Sequence, residues 1–341
     1  MQSSPQKVFN SKRFISVCLS LLKHTSEVIR DVQSSGELGK IMKGADDPVT
    51  QADFKAQYII ETGLRRHWPD IKIIGEESAK NLLPVEFSQN PQDAEGFGVT
   101  ELDQYDQNVD LDDIVVYIDP LDGTKAFTEG KLNEVTSLIG VSYKKAPYLG
   151  LINQIWDRHN IQAGYQFDPT VYFGMVGVPT VYHVKNNKQD PVSLISSYGK
   201  FTPHDPSKPW KLNVSVNHYV KSVEDLLAFF EPSAEKSGVS GMGARFIGII
   251  RREADGFVSN TSGSGRWDTL AGSAIMHALG GKVTGIRGTD YIYDGNSQDV
   301  VNTDGVFPLN DSDYHAKMLV KFVEYYKSIG QSEGPLTGKK N

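Results

Sequence analysis

The residues best suited to chemistry crowd into one stretch, Ile118-Asp119-Pro120-Leu121-Asp122-Gly123-Thr124. Two carboxylates and a hydroxyl follow directly on the apolar run Ile114-Val115-Val116-Tyr117-Ile118. Carboxylates this close repel, and half-buried ones are costly unless a cation compensates them. Magnesium, a hard divalent ion that takes oxygen ligands, is the natural compensator. The stretch predicts metal-dependent chemistry, most simply on a phosphate.

Further acids stand where elements should end: Glu76 in Gly75-Glu76-Glu77-Ser78, Asp268 in Arg266-Trp267-Asp268, and Asp47 ahead of Pro48-Val49-Thr50-Gln51-Ala52-Asp53. Singly, each has a plain reading. Asp268 suits a helix N-cap, Asp47 or Thr50 can cap the next helix, Glu76 can be an exposed turn residue, and Asp122-Gly123 is an ordinary turn pair. Together they offer what phosphomonoester hydrolysis needs: carboxylates from separate elements that hold metal ions, which align a water, neutralise phosphate oxygens and stabilise the leaving oxygen.

Rigid elements must position these groups. The β-branched run at 114–118 reads as a buried strand stopping in a tight turn at Pro120. Residues 71–74 form a short strand that delivers Glu76. Phe14, Val17, Cys18, Leu21, Leu22, Val28 and Ile29 share one helical face, so a core-packing helix lies there with Cys18 as packing. A second helix spans 50–68, closed by Pro69. Strands are predicted at 135–143 and 148–153, with shorter runs to 184. Residues 197–210 read as a linker or exposed loop. A strand at 212–216, a helix at 223–230, a glycine turn at 239–243, a helical segment at 246–251 and a strand at 256–258 follow. A helix at 268–279 ends at Gly280-Gly281. Residues 79–113 carry nine acidic residues against the single base Lys80 and show no period, which predicts a solvated surface excursion.

At 341 residues the chain can bury a large core, in one big domain or two smaller ones. The net charge of −7 argues against nucleic acid or an anionic membrane as the main partner. A small anionic substrate stays open, because a bound metal inverts the local charge. One cysteine allows no internal disulfide and fits a reducing compartment. The early apolar run at 14–22 is broken by serine and lacks a small-residue cleavage site, so no signal peptide or transmembrane helix is read and the cytoplasm is expected.

Taken together, Asp47 to Asp53, Gly75-Glu76-Glu77-Ser78, Asp119-Pro120-Leu121-Asp122-Gly123-Thr124, and Trp267-Asp268 through Gly280-Gly281 resemble the signatures of the inositol monophosphatase-like superfamily. These are lithium-sensitive, magnesium-dependent phosphatases, and the resemblance runs from about residue 10 to 325. It implies a layered αβαβα fold, α+β then α/β, in two subdomains with the site between them. The expected domains are a metal-binding one at 1–185, with 79–113 inserted, and a nucleotide-recognition one at 186–341.

By resemblance Glu76, Asp119 and the Leu121 carbonyl hold a first magnesium, and Asp119, Asp122 and Asp268 a second; Glu76 also touches a weaker third. Thr124 and Asp47 form a dyad in which the hydroxyl bonds a water and the aspartate accepts its proton. The Gly123 and Thr124 amides receive phosphate oxygens. On this reading Asp122→Asn abolishes turnover and leaves the fold intact.

Within the superfamily, Asp119 to Gly130, Val135-Thr136 and Gly150 to Gln154 look like the 3'(2'),5'-bisphosphate nucleotidases. Those enzymes remove the 3'-phosphate of adenosine 3',5'-bisphosphate to leave AMP. Ser215 and His218 match the nucleotide-contacting segment of that group. Gly241 to Arg245 matches a glycine-rich turn that ends in a lysine holding the 5'-phosphate, with arginine here instead. Asp122 and Asp268 are expected to touch substrate as well. Glycine at 123 and the lack of an anchor favour the cytosolic branch over the Golgi branch. The resemblance implies a small-molecule nucleotide bisphosphate as partner; the net charge speaks against nucleic acid and membrane, and the oligomeric state is left open by the sequence, with a monomer favoured. The alternatives carried are an inositol polyphosphate 1-phosphatase and a non-catalytic sensor on the same fold.

Overall fold

The computed structural model describes residues 7–44, 47–88, 100–156, 164–185, 193–216 and 222–336. β1 (Val8–Asn10) leads into α1 (Ser11–Ser35), then a hairpin of β2 (Ile41–Gly44) and β3 (Asp47–Val49), α2 (Gln51–His67) and β4 (Lys72–Gly75). Next come β5 (Asn108–Asp110), β6 (Ile114–Asp122), α3 (Thr124–Thr128), β7 (Thr136–Tyr143), β8 (Ala146–Trp156), β9 (Phe167–Met175), β10 (Val181–Lys185) and β11 (Ser193–Tyr198). The remainder is β12 (Trp210–Val214), α4 (Ser222–Leu227), β13 (Ala234–Gly238), α5 (Met242–Ile250), β14 (Gly256–Val258), α6 (Arg266–Ala278), β15 (Lys282–Thr284), β16 (Phe307–Leu309) and α7 (Ser312–Ser328).

Two sheets dominate. The larger runs β11-β10-β9-β8-β7-β6-β4, antiparallel except for the parallel β4–β6 pair. The smaller runs β13-β12-β14-β16-β15. Strand side chains alternate between faces, and the large sheet shows both faces apolar. Ile139, Leu151 and Phe173 pack with α1 and α2, while their neighbours Leu138, Ile152 and Tyr172 pack with α5 and α6. Phe257 and Val283 of the small sheet join that second cluster, and Leu212 and Phe307 face α4 and α7 on the far side. The layers therefore read helix, sheet, helix, sheet, helix, as expected.

Several sequence expectations shift. β11 pairs with β10, so the large sheet extends to Tyr198 and the boundary at 185/186 falls inside it. In the acidic stretch, the described part from 100 onward is not a solvated excursion. Leu102, Tyr105 and Leu111 are buried, β5 pairs with β1, and the Tyr105 hydroxyl donates to the Thr180 carbonyl at 2.6 Å. Apolar residues spaced irregularly among the acids anchor it, which is why no period was visible. α7 was not anticipated, although Asp311 caps it and His315, Met318, Phe322 and Tyr326 mark its buried stripe. Cys18 is buried in the α1 core, and burial pushes its thiol pKa up.

Candidate active site

The site begins with an irregularity in β6. Asp119 pairs with Leu138 of β7, but Asp122 pairs with Thr136, so β6 carries one extra residue at Pro120-Leu121. In a regular strand, positions three apart face opposite sides. The bulge cancels that alternation, and proline, having no amide to lose, is well placed there. The predicted turn at Pro120 is thus a bulge, and the turn itself comes at Gly123, with φ +86°.

Carboxylate oxygens of Asp119, Asp122 and Asp268 consequently lie within 4.8 Å of one another. Asp119 is 1% exposed and Asp122 8%. Burial, followed by the nearby carboxylates of Glu76, Asp122 and Asp268, raises the Asp119 pKa well above the ordinary carboxylate range. Asp268 is pushed up to about 7, mainly by burial. Asp122 is raised by burial against the lowering effect of its hydrogen bonds. Three close oxygen ligands, two buried and one half-buried, held in unfavourable repulsion fit a hard divalent cation.

Each acid is held by a different device. Leu121 N donates to Asp119 Oδ1 at 3.1 Å. Asp122 accepts three bonds: Met242 N to Oδ1 at 2.9 Å, and Gly243 N and the Thr136 hydroxyl to Oδ2 at 2.7 and 2.8 Å. The first amides of α5 are therefore committed to Asp122, and this carboxylate ties the two sheet systems together. Asp268 is the third residue of α6 rather than its N-cap, and its Oδ2 accepts from Gly265 N at 2.6 Å. Gly123 and Gly241 are both at positive φ and both press on the Glu134 carbonyl. An added Cβ would lie 2.9 and 2.7 Å from that oxygen, so other residues are excluded there.

Glu76 follows β4, its amide donating to the Ile118 carbonyl at 3.0 Å. Gln57 of α2 fixes the next residue by bonding both the amide and the carbonyl of Glu77. Lys43 of β2 reaches Glu76 Oε1 at 2.7 Å and Glu77 Oε1 at 2.8 Å. Burial is the largest influence on the Lys43 pKa and lowers it, but the two glutamates together outweigh burial and raise it.

Thr124 is paired with Asp53, not with Asp47. Its hydroxyl donates to Asp53 Oδ1 at 3.1 Å and lies 2.9 Å from the Leu121 carbonyl. Asp53 Oδ2 accepts from the Thr50 amide and hydroxyl, completing a capping box at the start of α2. Burial pushes the Asp53 pKa up to about 7. Asp47, the exposed first residue of β3, lines the cleft but has no bond to Thr124.

These groups line one cleft of about 500 Å³, together with Leu121, Gly123, Ser215, Gly241, Arg245 and the hydroxyl-rich loop at 259–265. That volume suits a small-molecule ligand. Arg245 is buried, donates through Nε to the Gly241 carbonyl and stacks on Phe257, and its Nη1 has no partner among the described residues. Arg266 is neither solvated nor in the cleft. It is buried against Tyr291 and donates to the Ile292 and Val301 carbonyls. His218 lies outside the described residues. Sequence reasoning missed Asp53, Gln57, Thr136 and Lys43. Asp53 had a signal at the third position of a capping box, and Thr136 stood in the Val135-Thr136 pair without a role; Gln57 and Lys43 had none.

The sequence matches the inositol monophosphatase family over residues 10–325. The chain belongs to that family. A relative from Dictyostelium discoideum, 3'(2'),5'-bisphosphate nucleotidase 1, is 31% identical over 88% of this chain and 93% of its own length. The Homo sapiens protein of the same name is 30% identical over 92% of this chain and 96% of its own. Among solved structures, inositol monophosphatase II from Staphylococcus aureus MSSA476 superposes with a TM-score of 0.61 at 13% identity. That match covers 93% of this chain and 96% of the other, and shows the family fold.

Proposed function

We propose that this family member is a magnesium-dependent 3'(2'),5'-bisphosphate nucleotidase that hydrolyses adenosine 3',5'-bisphosphate to AMP and phosphate. The observation that carries the reading is the trio of Asp119, Asp122 and Asp268 within 4.8 Å, facing the cleft that Thr124 lines with Asp53 bonded behind it. The similarity to nucleotidases over about nine-tenths of the chain supports the nucleotide as substrate.

Asp119, Asp122 and Asp268 would hold one magnesium, and Glu76, Asp119 and the Leu121 carbonyl another. Bound there, magnesium supplies positive charge that neutralises phosphate oxygens and acidifies water. The Gly123 and Thr124 amides receive the 3'-phosphate. Thr124 Oγ1 orients the attacking water and takes its proton while passing its own hydrogen to Asp53 Oδ1, a carboxylate whose affinity for protons is already raised. Arg245 offers its unpartnered Nη1 to the 5'-phosphate from the small-sheet side, with Ser215, Gly241 and His218 completing the nucleotide contacts. The sulfated analogue, 3'-phosphoadenosine 5'-phosphosulfate, is a second substrate, and lithium inhibits by occupying a magnesium position. Among the described residues no helix is long and apolar enough to cross a membrane, in keeping with a proposed cytoplasmic enzyme.

One assay tests the proposal: phosphate release from adenosine 3',5'-bisphosphate and from inositol 1,4-bisphosphate, with and without magnesium. Magnesium-dependent release from the nucleotide is expected. Release from the inositol compound alone would replace the reading with a 1-phosphatase, and release from neither would leave only a sensor.

Metal binding should also register in stability. Asp53 and Asp268 have folded pKa values of about 7, above their ordinary range. Their contribution to the metal-free fold is full below the ordinary carboxylate range and is lost as pH rises through 7. Magnesium held by Asp268 needs that carboxylate deprotonated. Added at about a hundred times its Kd, it stabilises by about 2.7 kcal/mol. The rise in melting temperature on adding magnesium is therefore expected to be larger at pH 8 than at pH 6. A shift that is equal at both, or larger at pH 6, would contradict the assignment.

A further inference from the structure

The catalytic scheme leaves the contacts of Lys43 unexplained. All four residues of β2 are exposed, including Ile41 and Met42. Apolar burial therefore does not dock this strand. Pairing with β3 holds it, and the Lys43 ammonium ties it to the segment after β4, bonded to Glu76 at 2.7 Å and Glu77 at 2.8 Å at the edge of the cleft.

The two partners differ in kind. The Glu77 side chain is 3% exposed, and Lys43 is its only cation among the described residues. A buried carboxylate without a cation is costly, so the Glu77 contact is the structural one. Glu76 is more open, and its carboxylate points to the same cleft as Asp119. Magnesium binds carboxylate oxygen at about 2.0–2.1 Å in a demanding octahedral shell. An ammonium hydrogen-bonded to the same oxygen occupies that space and repels the ion. A tethered cation also competes at an effective concentration on the order of millimolar.

We infer that Lys43 is a built-in competitor of metal at Glu76. It neutralises Glu76 in the empty enzyme, yields that carboxylate while keeping Glu77 when metal enters, and so sets the metal concentration at which the Glu76 position fills. The inference rests on the proposed role of Glu76 as a metal ligand.

The test is manganese binding without substrate, followed by the electron paramagnetic resonance signal of the free ion. The step that depends on Glu76 is identified by its loss in Glu76→Gln. Lys43→Met removes the competitor, and Lys43→Met/Glu77→Gln removes it without changing the net charge beside the site or leaving Glu77 unpaired. The double variant therefore separates competition from a general field effect and remains usable if the single variant folds poorly. The Glu76-dependent step is expected to tighten about tenfold in the double variant, and Lys43→Arg is expected to stay close to wild type. A double variant that binds manganese as wild type does, or more weakly, overturns the role of Lys43 and leaves the metal assignment standing. Absence of any Glu76-dependent step in wild type and double variant alike overturns both.

Discussion

Asp119→Asn is expected to lower magnesium-dependent phosphate release by about three orders of magnitude and, in the same protein, to raise the melting temperature of the metal-free fold. Both effects have one cause. Asp119 is 1% exposed and surrounded by Glu76, Asp122 and Asp268, so its charge is opposed by burial and by three like charges. Removing that charge relieves the empty fold and deprives both proposed metal positions of their shared ligand. Leu121 N donates to its Oδ1, a bond the asparagine oxygen still accepts. Asp122 is a poorer probe, contrary to the sequence-level expectation of an intact fold. Its oxygens accept Met242 N, Gly243 N and the Thr136 hydroxyl, and an asparagine amide would turn a donor against donors. Asp122→Asn should lose activity and stability together. Phosphate release and thermal unfolding, each with and without magnesium, distinguish the two variants. An active Asp119→Asn, or one less stable without metal, would remove Asp119 from the centre of the charge cluster.

The way these acids are held explains how much could be read in advance. The layers were legible because apolar periodicity is a property of local sequence: α1, α2, β7, β8 and α6 all begin and end near the expected positions. The acids at element ends were legible because Glu76, Asp119, Asp122 and Asp268 follow or open strong elements. What stayed hidden depends on register or on contacts far apart in sequence. The β6 bulge appears only when β7 is laid beside it, and without it Asp119 and Asp122 would face apart. Thr136 and Met242 are, respectively, 14 and 120 residues from Asp122. Lys43 sits in a hairpin with neither apolar period nor motif, so nothing local marks it. Asp53 and Asp268 share a further disguise. Each is the third residue of a helix and spends one oxygen capping that helix, which leaves the other for the site. At Asp53 a carboxylate already explained by a cap invites no second role, whereas at Asp268 the surrounding Trp267-Asp268 signature supplied one.

That disguise bears directly on which aspartate serves Thr124. Asp53→Asn is expected to lower kcat by about 10²–10⁴ with little change in KM, whereas Asp47→Asn should stay within a few-fold of wild type. The asparagine keeps an oxygen for the Thr124 hydroxyl but cannot take up its proton, so orientation survives and proton acceptance does not. It also presents an amide where Oδ2 accepted the Thr50 amide, which weakens the α2 cap by about 1 kcal/mol. The kcat loss must therefore be read beside the melting temperature. Thr124→Ser and Thr124→Val supply that control, because neither touches the cap. The serine hydroxyl reaches Asp53 and should retain most activity. Valine, matching threonine in shape without the hydroxyl, should fall as far as Asp53→Asn. Steady-state kinetics on the four variants decides the assignment. If Asp47→Asn collapses while Asp53→Asn stays active, the capping oxygen is the whole role of Asp53, and the partner of Thr124 must reach it from β3 through a rearrangement of the hairpin.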